Sequence, residues 1–89
     1  MAVAQKAQHP YIVSQRGVQG GEPTVRGTRV PVRSIVQYVL REGMTPEGLL
    51  KEFTHLSLAA VYDALSFYYD HRPQVDKLLR EQTEEAWRR

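Results

Sequence analysis

Four side chains around one glycine, Arg26, Thr28, Arg29 and Arg33, have the donors needed to hold a phosphate. A guanidinium offers a planar fork of permanent charge. A threonine hydroxyl adds a further contact, and Gly27 lets a backbone come close. The same residue types also read as architecture, with Arg29 tied to a carboxylate or a helix C-terminus and locking a hairpin onto a helical body. Arg33 falls in the first turn of a predicted helix, where the helix dipole disfavours a cation, so an outside use for it is one reading. A second set, Leu78, Leu79 and Trp87, lies on one side of a charged C-terminal segment and has the chemistry of a partner-binding anchor. Other reactive groups are scattered. His9, His55 and His71 follow no metal-ligand spacing, cysteine is absent, and neither a nucleophile elbow nor a phosphate loop occurs. The expectation is a protein without cofactor, metal or catalytic function.

The elements that must position these residues follow from pattern. Residues 1–9 are small and polar without period and read as a disordered tail. Tyr11-Ile12-Val13 and Thr24-Val25-Arg26 are β-prone runs separated by a glycine-rich loop, which predicts a hairpin. Pro31 stands where a first helix begins. Val32, Ile35, Val36, Val39 and Leu40 make its apolar stripe, and Gly43 closes it. Thr45 is a helix N-cap followed by Pro46, and Ser57 caps a third helix over about Leu58–His71. Tyr62, Tyr68 and Tyr69 read as core residues of that helix, with wet hydroxyl ends. Arg72-Pro73 restarts the chain as a fourth helix striped by Val75, Leu78, Leu79 and Trp87.

Helix, short helix, tight turn, longer helix is the spacing of a helix-turn-helix unit. The predicted class is mainly α: a winged-helix-like or homeodomain-like bundle with a small N-terminal β element and a C-terminal helix. The predicted division is a tail over 1–9, a helix-turn-helix-like domain over 10–72, and an amphipathic partner-binding helix over 73–89. Eighty-nine residues limit the chain to one small core. Hydrophobic residues at 42% and charged residues at 25% exclude global disorder. No apolar run is long enough to span a bilayer, so a soluble, cytoplasmic protein that avoids membranes is expected.

Charge is asymmetric. Residues 1–45 hold six basic and two acidic side chains, whereas residues 46–89 hold six basic and eight acidic ones. The basic half fits a polyanion such as DNA and the acidic half fits a protein partner, with ordinary surface charge as the alternative. The third helix is a poor DNA reader. Its N-terminal positions offer Ser57, Ala59, Ala60 and Asp63, and no lysine or arginine lies between Leu58 and His71. Ala59, Ala60 and Ala64 suit close helix packing, either inside the monomer or across a homodimer.

The segment Gly20-Gly21-Glu22-Pro23-Thr24-Val25-Arg26-Gly27-Thr28-Arg29-Val30-Pro31-Val32 resembles the signature of a family of small prokaryotic proteins, the domain-of-unknown-function family four-three-three. That signature is Gly-x-Pro, two or three residues, then Gly-Thr-Arg-Ile/Val-Pro-Val. Gly43, Thr45, Glu47, Phe53, Leu56, Ser57, Tyr68, Tyr69 and His71 follow in matching order, so the resemblance spans about residues 11–76. Thr54 departs from the family's usual Pro, and Gly48 from its usual Glu. The resemblance implies the helix-turn-helix fold with its N-terminal β element. It also implies a role, because some members are described as VapBC-type antitoxins encoded beside a small PIN-like ribonuclease toxin.

The expected function is therefore antitoxin-like. The C-terminal helix, with Leu78, Leu79 and Trp87, binds and neutralises the ribonuclease, and Glu81, Glu84 and Glu85 face its basic surface. Arg26, Thr28, Arg29 and Arg33 contact operator DNA, as a homodimer. Removal of residues 73–89 is expected to abolish neutralisation while leaving a folded core. The alternatives are a stand-alone DNA-binding regulator and a structural oligomerisation or adaptor module without nucleic acid.

Overall fold

The computed structural model describes residues 8–87, with side chains through Thr83. β1 (Ile12–Ser14) and β2 (Pro23–Val25) pair antiparallel in the register Ile12↔Val25, Val13↔Thr24, Ser14↔Pro23. The chain between them turns through a short 3-10 segment, Gln19–Gly21. β2 then folds back a second time. Val25 N donates to Val30 O at 2.9 Å, and Thr24 bridges Pro31. Residues 26–29 are thus the tip of a second, tighter hairpin. Its turn closes by Thr28 N donating to Val25 O at 3.0 Å, with Gly27 at φ +78° supplying the left-handed step that a side chain resists.

α1 (Val32–Val36) begins one residue later than expected, because Pro31 sits in extended conformation at the N-cap. The helix runs on as a wider π-helical turn over Gln37–Arg41, and Glu42 N donates to Gln37 O at 3.0 Å. An i→i−5 turn inserts one residue and rotates everything after it about the helix axis. The apolar stripe read from sequence therefore breaks: Val32, Ile35 and Val36 are buried, Val39 is half-buried, and Leu40 is 42% exposed.

α2 (Pro46–Glu52) and α3 (Leu58–Asp70) start at the expected caps. Thr45 Oγ1 accepts from Gly48 N at 2.9 Å, and Ser57 Oγ accepts from Ala60 N at 3.1 Å. The residues between them, Phe53–Ser57, make the tight turn of a helix-turn-helix unit that packs on α1. α4 (Arg72–Trp87) follows directly and packs against α1 and α3. Tyr68 joins the two helices. Its hydroxyl donates to Asp76 Oδ1 at 2.8 Å, and the Arg72 guanidinium sits 5.6 Å from its ring centroid.

The core gathers Val25, Val30 and Val32 with Ile35, Leu49 and Val61, and extends to Ala60, Ala64, Val75 and Leu79. The architecture is the predicted mainly α bundle with a small N-terminal β element and a C-terminal helix. Two tyrosines expected in the core are not there. Tyr68 is buried, but Tyr62 and Tyr69 are 50% and 58% exposed, because α3 turns only one of its two tyrosine-bearing sides to α1 and α4. Burial in the monomer accounts for Ala60 and Ala64; Ala59 alone of the three alanines faces solvent.

Candidate functional site

The four candidate phosphate contacts divide into two pairs. Thr28 belongs to the turn itself. Its hydroxyl donates to Val25 O at 2.8 Å and accepts from Val30 N at 3.0 Å, so both faces of the oxygen hold the hairpin closed. Arg33 is also occupied within the molecule. Its Nε donates to Glu22 Oε1 and Oε2 at 2.9 and 3.1 Å, and the two side chains are only 19% and 13% exposed. The pair pins the loop ahead of β2 to α1, and it relieves the cost of a cation at a helix N-terminus with a nearby anion.

Arg26 and Arg29 are exposed at the hairpin tip, one on each side of the Gly27-Thr28 step. Arg26 is partly engaged: its Nε donates to Pro10 O at 2.9 Å, and its backbone N to Tyr11 O at 2.7 Å. At Arg29 the backbone is held, with its carbonyl accepting from Gln19 Nε2 at 3.0 Å, while the guanidinium points to no acceptor among the described residues.

The expected tail does not reach residue 9. His9 is buried and belongs to the folded body. Its Nδ1 lies 3.1 Å from Asp63 Oδ1 and its Nε2 lies 2.8 Å from Asp70 Oδ2, and the ring edge meets Phe67 at 5.3 Å. Tyr11 N donates to the other Asp63 oxygen at 2.9 Å. The two aspartates sit seven residues apart, two turns of α3, so they stand on one side of the helix and grip the ring between them. The ring fills the space between the carboxylates. This clasp fastens the N-terminal segment to the helix that a helix-turn-helix protein would use as its reader. It leaves Asp63 engaged, and it takes that side of α3 away from nucleic acid. No sequence signal marks it, because 54 residues separate the partners. Residues 1–7 of the expected tail lie outside the described residues.

The three C-terminal anchor candidates also separate. Leu79 is core, together with Val75. Leu78 is half-buried and lines a shallow groove of about 290 Å³ between α4 and the Gly20–Pro23 segment. The Trp87 side chain lies outside the described residues, as do those of Glu84 and Glu85; the backbone at Trp87 is the last residue of α4. Beyond Leu79, Arg80, Glu81, Gln82 and Thr83 are all exposed. A second and larger groove, of about 410 Å³, opens between this stretch and α1. Ser34, Gln37, Tyr38 and Glu42 line one wall, and Leu79 and Gln82 the other. Arg33 lines this groove while its partner Glu22 lines the shallower one, so the ion pair forms the partition between them. The sequence hides the groove, because its walls come from α1 with its π turn and from a helix distant in the chain.

Among the described residues no helix is long and apolar enough to cross a membrane. A small helical domain with a helix-turn-helix unit behind a doubled hairpin is the class that this fold defines. The chain belongs to the DUF433 family, described as "Protein of unknown function (DUF433)", whose family model matches residues 12–68. The structure is similar to the crystal structure of a DUF433 member protein from Anabaena variabilis ATCC 29413. The two share 29% sequence identity and a TM-score of 0.74, over 82% of this chain and 70% of that one. No curated protein matches the chain.

Proposed function

We propose that this chain is an antitoxin-like protein whose α4 binds and neutralises a ribonuclease of the PIN-like class, in the cytoplasm and as a homodimer. One observation carries the reading. α4 is seated by Val75 and Leu79 and then continues for two further turns with Arg80–Thr83 exposed, a stretch that the small core leaves uncovered. A helix fixed at one end and exposed over Arg80–Thr83 is arranged to lie in a partner's groove. Its acidic residues, Glu81 and, in sequence, Glu84 and Glu85, complement the cationic surface by which a nuclease holds RNA. The ribonuclease identity rests on the family resemblance.

The test is neutralisation of a PIN-like ribonuclease co-expressed with the chain. The expected cut after residue 72 is a poor one, because it removes Val75 and Leu79 from the core and should destabilise what remains. A chain ending at Thr83 keeps both. It should retain its far-ultraviolet circular dichroism and melting cooperativity, yet fail to co-purify with the nuclease or to rescue growth. Full neutralisation by that shorter chain would refute the part given to Glu84, Glu85 and Trp87.

A second reading, DNA contact, is favoured by the exposed Arg26 and Arg29 at the hairpin tip. It uses two of the four expected contacts, since Thr28 and Arg33 are engaged within the fold. Arg29→Ala is the clean probe. It should weaken DNA binding and lower the salt slope by about one charge while leaving the melting temperature unchanged. Unchanged binding would place nucleic acid elsewhere or nowhere.

A further inference from the structure

We propose that the solvent face of α3 is where two copies of this chain meet, with the two helices antiparallel about a two-fold axis. The proposal rests on the homodimer reading above and names its surface. Six side chains make the face: Leu58, Ala59, Tyr62, Leu65, Ser66 and Tyr69. At about 3.6 residues per turn they fall within about 120° of the helix surface, opposite the side that Ala60, Val61, Ala64 and Tyr68 bury. Ala59, Tyr62, Ser66 and Tyr69 are exposed, the two tyrosines by 50% and 58%, and Leu58 and Leu65 are half-buried. None of the six carries a charge. Asp63 and Asp70 stand just beyond the Ala59 edge, and His9 engages both. An uncharged face of three turns holding two half-exposed aromatic rings has the composition of a protein interface.

The order of side chains along this face selects a second copy as its occupant. Small and large alternate along the helix: Ala59, Tyr62, Ser66, Tyr69. A two-fold axis across the helix at the level of Ala64 sets Tyr62 against the partner's Ser66 and Tyr69 against the partner's Ala59. Each ring then meets a small residue, and the same patch complements itself, as an isologous interface requires. A parallel pair sets Tyr62 on Tyr62 and Ala59 on Ala59, which crowds one level and leaves the other empty. Tyr69 is braced for such a contact. Its ring lies 5.2 Å from that of Tyr68, whose hydroxyl is tied to Asp76.

Charge complementarity favours the same direction. α3 has no acidic residue in its first turn and no basic one in its last. Asp70 stands in that last turn with a side chain 53% exposed, the wrong sign for its own helix end. Antiparallel pairing about Ala64 brings Asp70 level with the partner's Leu58, beside a helix N-terminus that lacks an acid of its own. Area sets the strength. Two half-exposed tyrosines offer about 200 Å² per copy. A face of three turns stays below the roughly 800 Å² per partner of a standard stable interface, so this dimer dissociates in the micromolar to millimolar range.

The test uses the full chain without a nuclease. Sedimentation equilibrium up to about 1 mM should show a reversible monomer–dimer equilibrium. Tyr62→Lys and Tyr69→Lys should each raise its Kd at least about tenfold with circular dichroism unchanged, because both side chains are half-exposed. Leu40→Lys, at an exposed leucine of the π turn, should leave the Kd as it is. Direction is read on the unsubstituted protein, from a mixture of ¹³C-labelled and unlabelled chains. Ala59 and Tyr69 are about 15 Å apart along one helix, so an isotope-filtered nuclear Overhauser contact between the Ala59 methyl and the Tyr69 ring arises only between copies. A monomer at every concentration refutes the homodimer reading and this surface together. A dimer that both lysine variants leave intact, or one without the Ala59–Tyr69 contact, overturns the proposal and leaves the homodimer standing. A dimer that shows the contact and fails to neutralise the nuclease sinks the toxin reading alone.

Discussion

Arg33 is the residue on which structural and binding roles divide most cleanly. Replacing it with alanine removes both hydrogen bonds to Glu22 and leaves a carboxylate that is 13% exposed without its counter-charge. Breaking a fully buried pair from one side costs about 3–5 kcal/mol, and a hydrogen bond to a charged group about 1.5–3 kcal/mol. Residual solvent access on both partners puts the expected loss near 2–3 kcal/mol. With a urea dependence of about 1 kcal/mol per molar for a domain of this size, the unfolding midpoint falls by roughly 2–3 M. The assay is urea denaturation followed by circular dichroism at 222 nm. The double variant Glu22→Leu with Arg33→Met should recover most of the loss, because two apolar groups replace the pair without stranding a charge. The coupling energy across the cycle should then be about 1–3 kcal/mol. If Arg33→Ala instead shifts the midpoint by less than about 0.5 M and abolishes DNA binding, the ion pair is not what holds this loop, and Arg33 serves an outside ligand.

Three further outcomes follow from the same geometry. His9→Ala strips Asp63 and Asp70 of a shared partner and should cost about 1–3 kcal/mol, with faster amide exchange across β1; unchanged exchange there would show that the clasp does not fasten the N-terminal segment. Thr28→Val keeps the shape and deletes the hydroxyl, so it should destabilise the fold by about 1–3 kcal/mol while leaving DNA affinity per folded molecule unchanged; a loss of affinity at full stability would restore Thr28 as a contact. Gly27→Ala meets no neighbouring atom, so its cost should be the backbone term alone, about 1–2 kcal/mol, and Gly27→Asn should cost less; equal melting temperatures for all three would refute the left-handed turn.

Sequence reasoning succeeded where the signal is local. The caps at Thr45 and Ser57 and the stop at Gly43 depend on neighbours within a few positions, and the hairpin expected from residues 11–13 and 24–26 forms with each strand displaced by one residue. Hydrogen bonds across three or four residues, and φ angles that only some residues adopt, are written into residue type. The Thr28 hydroxyl, read from sequence as a phosphate contact, instead closes its own turn.

What the sequence by itself determined was the main elements, their order and the helix caps at Thr45 and Ser57. The tertiary structure alone decided which charged groups are free. Arg29 and Arg33 look alike in the chain, and Glu22, eleven positions before Arg33, leaves one exposed and one engaged. His9 reads as tail until Asp63 and Asp70 reach it from α3. Leu40 reads as core until the π turn rotates it out. Each outcome depends on a contact between distant segments or on a single inserted residue. Burial and charge pairing are properties of the packed whole, and local residue patterns do not carry them.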